Sequence, residues 1–399
     1  MDKKETAQCC SFCGRNKKEV NNLINSKNVF ICNYCISEAQ DIITQDEKEK
    51  NAAKPLNTPL PTPEKIFEHL NRFVVGQEQA KKTISTAVYN HYKRINSNNN
   101  NLTKSNITLI GPTGSGKTYI AQSIASFLDV PFVIVDATSL TQAGYVGDDV
   151  ETILQRLINA ADGDIEKAQK GIIFIDEIDK IAKRDASSSI TRDVSGEGVQ
   201  QSLLKILEGT LSRVQSDGNR KHPNSKVDYI DTKNILFICG GAFVGLSDIV
   251  KKNNKTKSSI GFNILKENKI ESFLKKFDNS ITPQHLVDFG FIPEFVGRIP
   301  VIAELNELEK NDLISIAKEP ENSLVKQYTE LLGMDGVSLV VEDNALSEMA
   351  DIVLEMKTGA RGLKSLFEKV LANTMFKAPS MQKGQTIVVK TVFEEPTIQ

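Results

Sequence analysis

Short apolar runs alternate with longer helical patterns through the middle of the chain. The runs cover residues 106–110, 131–136, 171–177, 234–239 and 299–305, and each has the length and the β-branched content of a buried strand. Because helical patterns separate them, the connections are expected to be right-handed crossovers between parallel strands. We therefore predict an α/β protein with a parallel sheet flanked by helices, whose ligands bind beyond the carboxyl ends of the strands.

The pattern is different before the first of these strands. Residues 46–62 are rich in Lys, Glu, Asn, Pro and Thr, and are predicted to form a flexible linker. Thr62 and Pro63 then have the character of an N-cap and a first helical residue, and a second helix is expected over residues 78–95.

Helical patterns dominate after residue 306. They cover residues 313–332 and 345–357, with Val-rich stretches at 336–341 and 385–392. This change predicts a smaller, mainly helical C-terminal domain, joined to the sheet domain by a hinge.

Composition narrows the function classes. The chain has 399 residues, more than one hydrophobic core usually serves, so two or three domains are expected. A net charge of −2 gives no support to a protein whose main role is to bind nucleic acid. No apolar run approaches the roughly 20 residues that span a bilayer, and the N-terminus has no signal or transit character. We predict a cytoplasmic protein that binds neither nucleic acid nor membrane.

One stretch carries a complete phosphate-loop motif, Gly111-Pro112-Thr113-Gly114-Ser115-Gly116-Lys117-Thr118. It lies between a predicted strand and a predicted helix, which is the context that the motif requires. Backbone N–H groups and the helix N-terminus would cradle a phosphate chain. Lys117 is expected to reach the β- and γ-phosphates, and the Thr118 hydroxyl to bind Mg²⁺. A glycine-rich turn without a ligand is the less favoured interpretation.

Two carboxylates end the third predicted strand. Asp176 is expected to hold Mg²⁺ through its water shell, and Glu177 to orient and deprotonate a water that attacks the γ-phosphate. The alternative, that the pair only caps a helix, is weaker beside so complete a phosphate loop. The predicted reaction is hydrolysis of a nucleoside triphosphate.

All but one of the six cysteines lie within the first 35 residues. Cys10, Cys13, Cys32 and Cys35 match the four-thiolate spacing of a structural Zn²⁺ site. Metal binding is worth about 10–16 kcal/mol in zinc-finger peptides, enough to fold a segment with almost no core. Disulfides are disfavoured in a reducing compartment. Cys9 could compete with Cys10 as a ligand.

With these motifs on one chain, the sequence resembles the AAA+ ATPases, and within them the protein unfoldases that serve the ClpP peptidase. The resemblance rests on the order of the motifs, which are the four cysteines, Val74-Val75-Gly76-Gln77, the two nucleotide motifs, Gly144-Tyr145-Val146-Gly147, Arg220-Lys221-His222, Ile260-Gly261-Phe262, Gly297-Arg298 and Gly359-Ala360-Arg361-Gly362. It implies an ATP-hydrolysing homohexamer that unfolds tagged or unfolded substrates through a central pore, works with adaptor proteins, and delivers chains to the ClpP ring.

The resemblance also implies residue roles. Those for the nucleotide are Val74 and Val75 against adenine, Arg298 on the γ-phosphate of the adjacent subunit, and Arg361 as a sensor within the subunit. Those for protein partners are Tyr145 and Val146 as the first pore loop, Arg220, Lys221 and His222 as the second, and Ile260, Gly261 and Phe262 as the ClpP-docking tip. From pattern alone each segment has a plainer interpretation. Val74 and Val75 could be a helix–helix turn, and Arg298 and Arg361 could form surface ion pairs. The loop with Tyr145 could bury that side chain, residues 220–222 could be a solvated charge cluster, and residues 260–262 could be a local apolar cluster.

One feature departs from the wider AAA+ pattern. The fourth strand ends in Cys239-Gly240-Gly241, with no Asn or Thr to sense the γ-phosphate, and that sensor is left unassigned.

The predicted domains are a zinc-binding domain (1–45), a linker (46–62), an AAA+ large ATPase domain (63–305) and an AAA+ small domain (306–399). No peptidase motif is present in the sequence, so hydrolysis of peptide bonds is not expected. The alternative functions are a DNA-remodelling AAA+ ATPase of the helicase or initiator type, and a zinc adaptor with a degenerate ATPase.

Overall fold

The computed structural model describes residues 9–26, 29–39, 60–97, 101–141, 149–182, 196–215, 227–259 and 280–398. By its internal contacts the chain divides into two units, Met1–Leu60 and Pro61–Gln399. Each unit is described by itself.

The first unit is built around cysteines. Strands β1 (Leu23–Ser26) and β2 (Val29–Cys32) form an antiparallel pair in which Leu23 lies opposite Cys32, and residues 33–39 are helical. Its buried cluster consists of Cys10, Val20 and Cys32. So small an apolar cluster cannot stabilise a fold by burial alone, which agrees with the prediction that a metal supplies the stability.

The second unit contains the remaining strands. Their bounds are β3 (Ile107–Ile110), β4 (Phe132–Asp136), β5 (Ile172–Asp176), β6 (Leu211–Gln215), β7 (Val227–Asp231), β8 (Leu236–Gly241), β9 (Val301–Glu304), β10 (Ser338–Val341), β11 (Thr386–Val389) and β12 (Thr397–Ile398). Five of them form a wholly parallel sheet in the order β4-β5-β8-β3-β9. The five predicted strands are therefore confirmed, with β8 extending to Gly241.

Thirteen α-helices of the second unit fall within the described ranges. They are α1 (Pro63–Phe73), α2 (Glu78–Asn96), α3 (Lys117–Leu128), α4 (Val150–Ala160), α5 (Ile165–Ala168), α6 (Glu197–Glu208), α7 (Leu246–Ser259), α8 (Pro283–Phe289), α9 (Pro293–Arg298), α10 (Lys310–Lys318), α11 (Leu324–Met334), α12 (Asp343–Met356) and α13 (Ala360–Lys377). Thr62 caps α1 as predicted, because its hydroxyl accepts from the Lys65 N–H at 3.4 Å.

The inner strands of the sheet, β5, β8 and β3, are buried on both faces, which is why they are almost continuously apolar. Every residue of β3 and β8 is buried, and Phe174 on β5 and Phe237 on β8 are wholly inaccessible. A parallel sheet covered by helices on both sides produces this pattern. The carboxyl ends of β3 and β5 carry the phosphate loop and the two carboxylates, so the sheet brings the predicted chemistry to one edge.

The C-terminal helices have a core of their own, centred on residues such as Leu313, Met349 and Phe367. The strand β11 pairs in parallel with β10 and antiparallel with β12. The fold-class prediction of a parallel AAA+ sheet, a mainly helical C-terminal domain and a four-Cys module is confirmed.

Two details of the prediction need correction. The continuous helix expected over residues 313–332 is two helices, α10 and α11. Pro320 lies between them, and a proline ring cannot continue a helix. The antiparallel hairpin of β6 and β7 was not predicted, because its strands are short and polar at alternate positions.

Candidate nucleotide site and metal centre

A cavity of about 620 Å³ lies at the carboxyl edge of the sheet. It is lined by the α1–α2 junction, the loops that follow β3 and β5, and residues of α10, α11 and α13. Its volume is within the range of small-molecule sites. Val74, Val75, Lys117, Thr118, Asp176, Glu177 and Arg361 all line it, so the structure brings these predicted residues together.

The phosphate loop depends on glycine at a crowded position. Gly114 has φ +80°, and a Cβ there would lie 2.6 Å from the carbonyl oxygen of Thr358 and 2.8 Å from the Cα of Gly359. The Gly114 carbonyl accepts a hydrogen bond from the Ala360 N–H at 3.3 Å. The loop is therefore in backbone contact with the start of α13 and has no room for a side chain.

Lys117 is buried at the base of this loop. Its ammonium donates to the carbonyl oxygens of Gly111 at 2.6 Å and Pro112 at 2.9 Å. Burial lowers the pKa of Lys117, and the charges of Asp176 and Asp179 oppose that shift. The position suits a cation that stabilises a phosphate chain held by the same loop.

Two oxygen ligands for a hard cation meet beside Lys117. The Thr118 hydroxyl donates to Asp176 Oδ2 at 3.1 Å, and Asp176 Oδ1 accepts from the Glu177 N–H at 2.9 Å. Hydroxyl and carboxylate oxygens are the donors that Mg²⁺ prefers. The residues present therefore fit a bound Mg²⁺.

Glu177 follows β5 in an unusual backbone conformation. Its φ of 54° and ψ of 32° are left-handed. For a residue other than glycine this conformation costs about 1–3 kcal/mol and persists only where neighbouring contacts hold it. It begins a 3₁₀ turn, Ile178–Ile181, and Glu177 lines the cavity.

The α1–α2 junction forms one wall of the cavity and is fixed by two side chains: Lys81, which sequence reasoning missed, and Gln77, to which it assigned no role of its own. The buried Lys81 ammonium donates to the carbonyl of Val74 at 3.0 Å. The Gln77 amide makes two hydrogen bonds to the backbone of Asn306, one to the carbonyl at 2.9 Å and one from the N–H at 2.8 Å. Gln77 therefore ties this wall to the chain segment that enters the C-terminal helices.

The turn between α10 and α11 is held against the sheet domain in a similar way. Arg72 donates to both carboxylate oxygens of Glu321, at 2.6 and 2.9 Å. The Asn322 amide donates to the Tyr119 hydroxyl at 2.6 Å. Because Asn322 and Tyr119 also line the cavity, these contacts join its two sides. Nothing in the local sequence indicated them.

Among the described residues that line the cavity of this chain, Arg298 is absent. It ends α9, and its guanidinium contacts one oxygen of Glu208 with Nε at 3.0 Å and a terminal nitrogen at 2.7 Å. Both side chains are about half exposed. The buried Asn106 amide donates to the Arg298 carbonyl at 2.8 Å, which fixes the backbone of this arginine.

The predicted zinc ligands form one cluster in the first unit. The Sγ atoms of Cys10, Cys13, Cys32 and Cys35 lie within 4.8 Å of one another, with Cys10–Cys35 at 3.9 Å and Cys13–Cys32 at 3.6 Å. Zn–S bonds of about 2.3 Å in a tetrahedron place the sulfurs about 3.8 Å apart, so the four thiolates fit the ion.

The environment of Cys10 favours a thiolate. Burial opposes its ionisation, but backbone N–H groups, including that of Cys32 at 3.3 Å, overcome this and lower its pKa to about 6. Cys9 is not in the cluster. Its thiol donates to the side chain of Asn16 at 2.9 Å.

Three predicted segments lie outside the described residues: Tyr145 and Val146, Arg220 to His222, and Ile260 to Phe262. Their roles stay predictions. Within the described ranges, no helix is both long enough and apolar enough to cross a bilayer.

Sequence models of three families match the chain. The family described as "AAA domain (Cdc48 subfamily)" matches residues 102–302. The family "ClpX C4-type zinc finger" matches residues 8–45, and the family "C-terminal, D2-small domain, of ClpB protein" matches residues 308–389. Two relatives, from Borrelia duttonii (strain Ly) and Borrelia recurrentis (strain A1), are named ATP-dependent Clp protease ATP-binding subunit ClpX. The chain is similar to each at 49% identity, in an alignment of 395 positions that covers 97% of this chain and 91% of the relative.

Proposed function

Because this chain belongs to the ClpX family of AAA+ ATPases, we propose that it uses ATP hydrolysis to unfold tagged proteins and deliver them to a separate ClpP peptidase ring. The observation that carries the proposal is the cavity in which a complete phosphate loop, two strand-end carboxylates and the C-terminal helices meet. A nucleotide bound there contacts both parts of the second unit, so its hydrolysis is able to change their angle.

In the proposed reaction a water oxygen attacks the γ-phosphorus and the bond to the β–γ bridging oxygen breaks. Glu177 accepts the proton of the water, and ADP and phosphate leave. Lys117 stabilises the β- and γ-phosphates, while Thr118 and Asp176 would hold Mg²⁺, which would supply further positive charge. Val74 and Val75 contact adenine, and Arg361 senses the nucleotide from α13.

Arg298 is proposed to act on the nucleotide of an adjacent subunit. Its absence from the lining of its own cavity and its half-exposed position support this role. An arginine supplied by a neighbour accelerates GTP hydrolysis by about 10³–10⁵ in other systems. Hydrolysis would then depend on assembly, which we propose to be a homohexamer.

The protein-handling roles are proposed from family membership. Tyr145 and Val146 would grip the translocating chain, and Arg220, Lys221 and His222 would favour acidic or carboxylate-bearing tags at the pore entrance. Ile260, Gly261 and Phe262 would dock into the ClpP ring. The peptidase activity would then belong entirely to ClpP.

The remaining assignments concern the rest of the chain. The N-terminal zinc module would bind substrates, adaptors or another copy of itself, and the protein would work in the cytoplasm. We propose domain boundaries at 63–305 and 306–399, and the matches of the AAA and D2-small family models on either side of residue 306 support them.

The test uses the purified full chain with ATP, a folded fluorescent protein carrying a panel of peptide tags, and a candidate ClpP. We expect ATP-dependent loss of fluorescence, and degradation only when ClpP is present. Glu177→Gln should bind ATP but barely turn over, and Tyr145→Ala should hydrolyse ATP without unfolding a stable substrate. ATPase activity that responds to single-stranded DNA and not to denatured protein would replace this proposal with DNA remodelling.

A further inference from the structure

Asp179 is a buried carboxylate beside the candidate nucleotide site, and the proposed chemistry gives it no role. It is only 3% exposed and stands two residues after Glu177 in the 3₁₀ turn. It lines the same cavity as Glu177. Its Oδ1 accepts a hydrogen bond from the Ala242 N–H at 3.2 Å. Because Ala242 directly follows β8, this bond joins the end of β5 to the end of the neighbouring strand.

The end of β8 has no space for a polar side chain. A Cβ on Gly241 would lie 2.7 Å from Asp179 Oδ1 and 2.6 Å from the ring of Phe243. A Cβ on Gly240 would lie 2.5 Å from the ring of Phe174. Real Cβ atoms do not make contacts this short. The strand therefore ends in two glycines because the Asp179 carboxylate and two aromatic rings already occupy the volume.

The segment that carries Glu177 is held on both sides. Before it, Asp176 accepts from the Glu177 N–H at 2.9 Å and is itself bonded to Thr118. After it, Asp179 is bonded to Ala242. A residue in the left-handed conformation keeps its place only where such contacts fix it. The bond that Asp179 accepts connects the segment to the residue directly after β8.

On the basis of the proposed function, we infer that Asp179 is a positioning residue, which holds the Glu177 carboxylate in place for the attack of water through its hydrogen bond to Ala242. The role requires a hydrogen-bond acceptor at Oδ1 but does not require the negative charge. The other carboxylate oxygen, Oδ2, lies 3.9 Å from the Lys180 ammonium.

The test compares Asp179→Ala with Asp179→Asn in the full chain, measuring kcat and KM for ATP and the affinity for a fluorescent ADP analogue. For Asp179→Ala we expect kcat to fall about 10-fold to 100-fold, because small misplacements of a catalytic group have effects of this size, while KM and affinity change less than about threefold. Asp179→Asn keeps an oxygen acceptor for Ala242 and should stay within about threefold of the wild type. Gly241→Ala, which displaces the carboxylate from the other side, should reproduce the kcat loss.

A wild-type kcat for Asp179→Ala would overturn the inference. An Asp179→Asn variant as slow as Asp179→Ala would also overturn it, because the negative charge and not the hydrogen bond would then be what matters. If Asp179→Ala does not fold, Asp179→Glu carries the test. Its carboxylate is displaced by one methylene, so the same loss of kcat is expected, and normal turnover overturns the inference. The variant Glu177→Gln separates this inference from the proposed function. Normal turnover of Glu177→Gln refutes Glu177 as the base. If Glu177→Gln is inactive but Asp179→Ala turns over normally, only the role of Asp179 is refuted.

Discussion

The backbones of Gly114 and Gly359 pack directly against each other. A Cβ on Gly114 would lie 2.8 Å from the Cα of Gly359, and a Cβ on Gly359 would lie 2.9 Å from the Cα of Gly114. Gly114 belongs to the phosphate loop, and Gly359 precedes the helix that carries Arg361. The loop that would hold the phosphates is therefore in direct backbone contact with the start of the C-terminal helix α13, with no side chain between the two glycines.

Gly359→Ala should uncouple these two elements. The added Cβ would lie 2.8 Å from the Thr113 carbonyl oxygen, so the phosphate loop or the start of α13 must shift. Since the loop depends on its backbone N–H groups to bind phosphate, we expect the affinity for ATP to fall by about tenfold or more. A fluorescence titration with an ATP analogue measures this directly.

Gly384→Ala is the matched control. Gly384 also has a positive φ, +95°, but a Cβ there meets nothing within 4 Å. Both variants should lose about 1–3 kcal/mol of stability from backbone strain. Only Gly359→Ala should lose affinity, and equal affinities in the two variants would show that the close approach is unimportant for binding.

The sheet and the phosphate loop could be predicted because their signals are local. A run of apolar residues indicates a buried strand by itself, and the phosphate-loop pattern spans only eight residues, Gly111 to Thr118. The break at Pro320 was also predictable, because proline cannot continue a helix, so the continuous helix predicted over residues 313–332 was wrong.

The contacts that complete the site could not be predicted in the same way. The bond from Asp179 to Ala242 joins residues 63 positions apart, and the bonds from Gln77 to Asn306 join residues 229 apart. Such pairs depend on how the strands and helices pack, which a single sequence does not display. The glycines at the end of β8 were the one available signal, because a strand without side chains indicates close approach by another group.

Lys104 is predicted to make the stability of the protein depend on pH. Its ammonium donates to the Thr232 carbonyl at 2.9 Å and lies 4.5 Å from the centre of the Phe237 ring. Burial, with a smaller contribution from the charge of Arg94, lowers its pKa from 10.5 to about 7. Between these values the unfolded chain binds the proton and the folded chain does not. The contribution of Lys104 to the free energy of unfolding therefore rises with pH from about 7 towards 10.5.

Lys104→Met should remove this dependence. We compare the free energy of unfolding of the variant with that of the wild type. The difference, variant minus wild type, should fall by up to about 1.4 kcal/mol per pH unit as pH rises from 7 to 9. Below pH 7 the difference should stay constant. Urea unfolding at several pH values measures the difference. Lys383→Met replaces an exposed lysine and should run parallel to the wild type. A parallel curve for Lys104→Met as well would mean that Lys104 keeps its proton in the folded state.

The zinc site predicts a contrast between adjacent cysteines. Cys10→Ser removes one of the four clustered sulfurs, whereas Cys9→Ser changes a thiol that contacts Asn16. We expect Cys9→Ser to retain one zinc per chain and Cys10→Ser to lose it, as measured by atomic emission after dialysis. ATP hydrolysis should survive in Cys10→Ser, because a site closed by four thiolates has no open position for catalysis and the cysteines lie in a separate unit. Zinc retained by Cys10→Ser would show that Cys9 substitutes as a ligand.

The role of Arg298 can be tested by mixing two inactive variants. Arg298→Ala leaves Glu177 intact in its own site, and Glu177→Gln leaves Arg298 intact. If the arginine acts on the site of an adjacent subunit, a ring that contains both variants has some sites with a base from one chain and an arginine from the next. Random mixing in equal amounts should then restore up to about a quarter of the wild-type rate, since one interface in four has the productive order.

The same experiment decides against an arginine that acts within its own chain. In that case every site of a mixed ring lacks either the base or the arginine, and no ratio of the two variants restores ATP hydrolysis. Mixing Arg298→Ala with a chain that carries both substitutions is the control, because no interface then supplies the arginine and the rate should stay at background. Suppose that ATP hydrolysis recovers in the first mixture and not in the control. The Arg298 guanidinium must then leave Glu208, its partner at 2.7 Å in the isolated chain, and bind a phosphate across the interface. Glu208 and the neighbouring nucleotide would therefore compete for one arginine, and Glu208→Gln should raise the ATP hydrolysis rate of the assembled ring at subsaturating ATP.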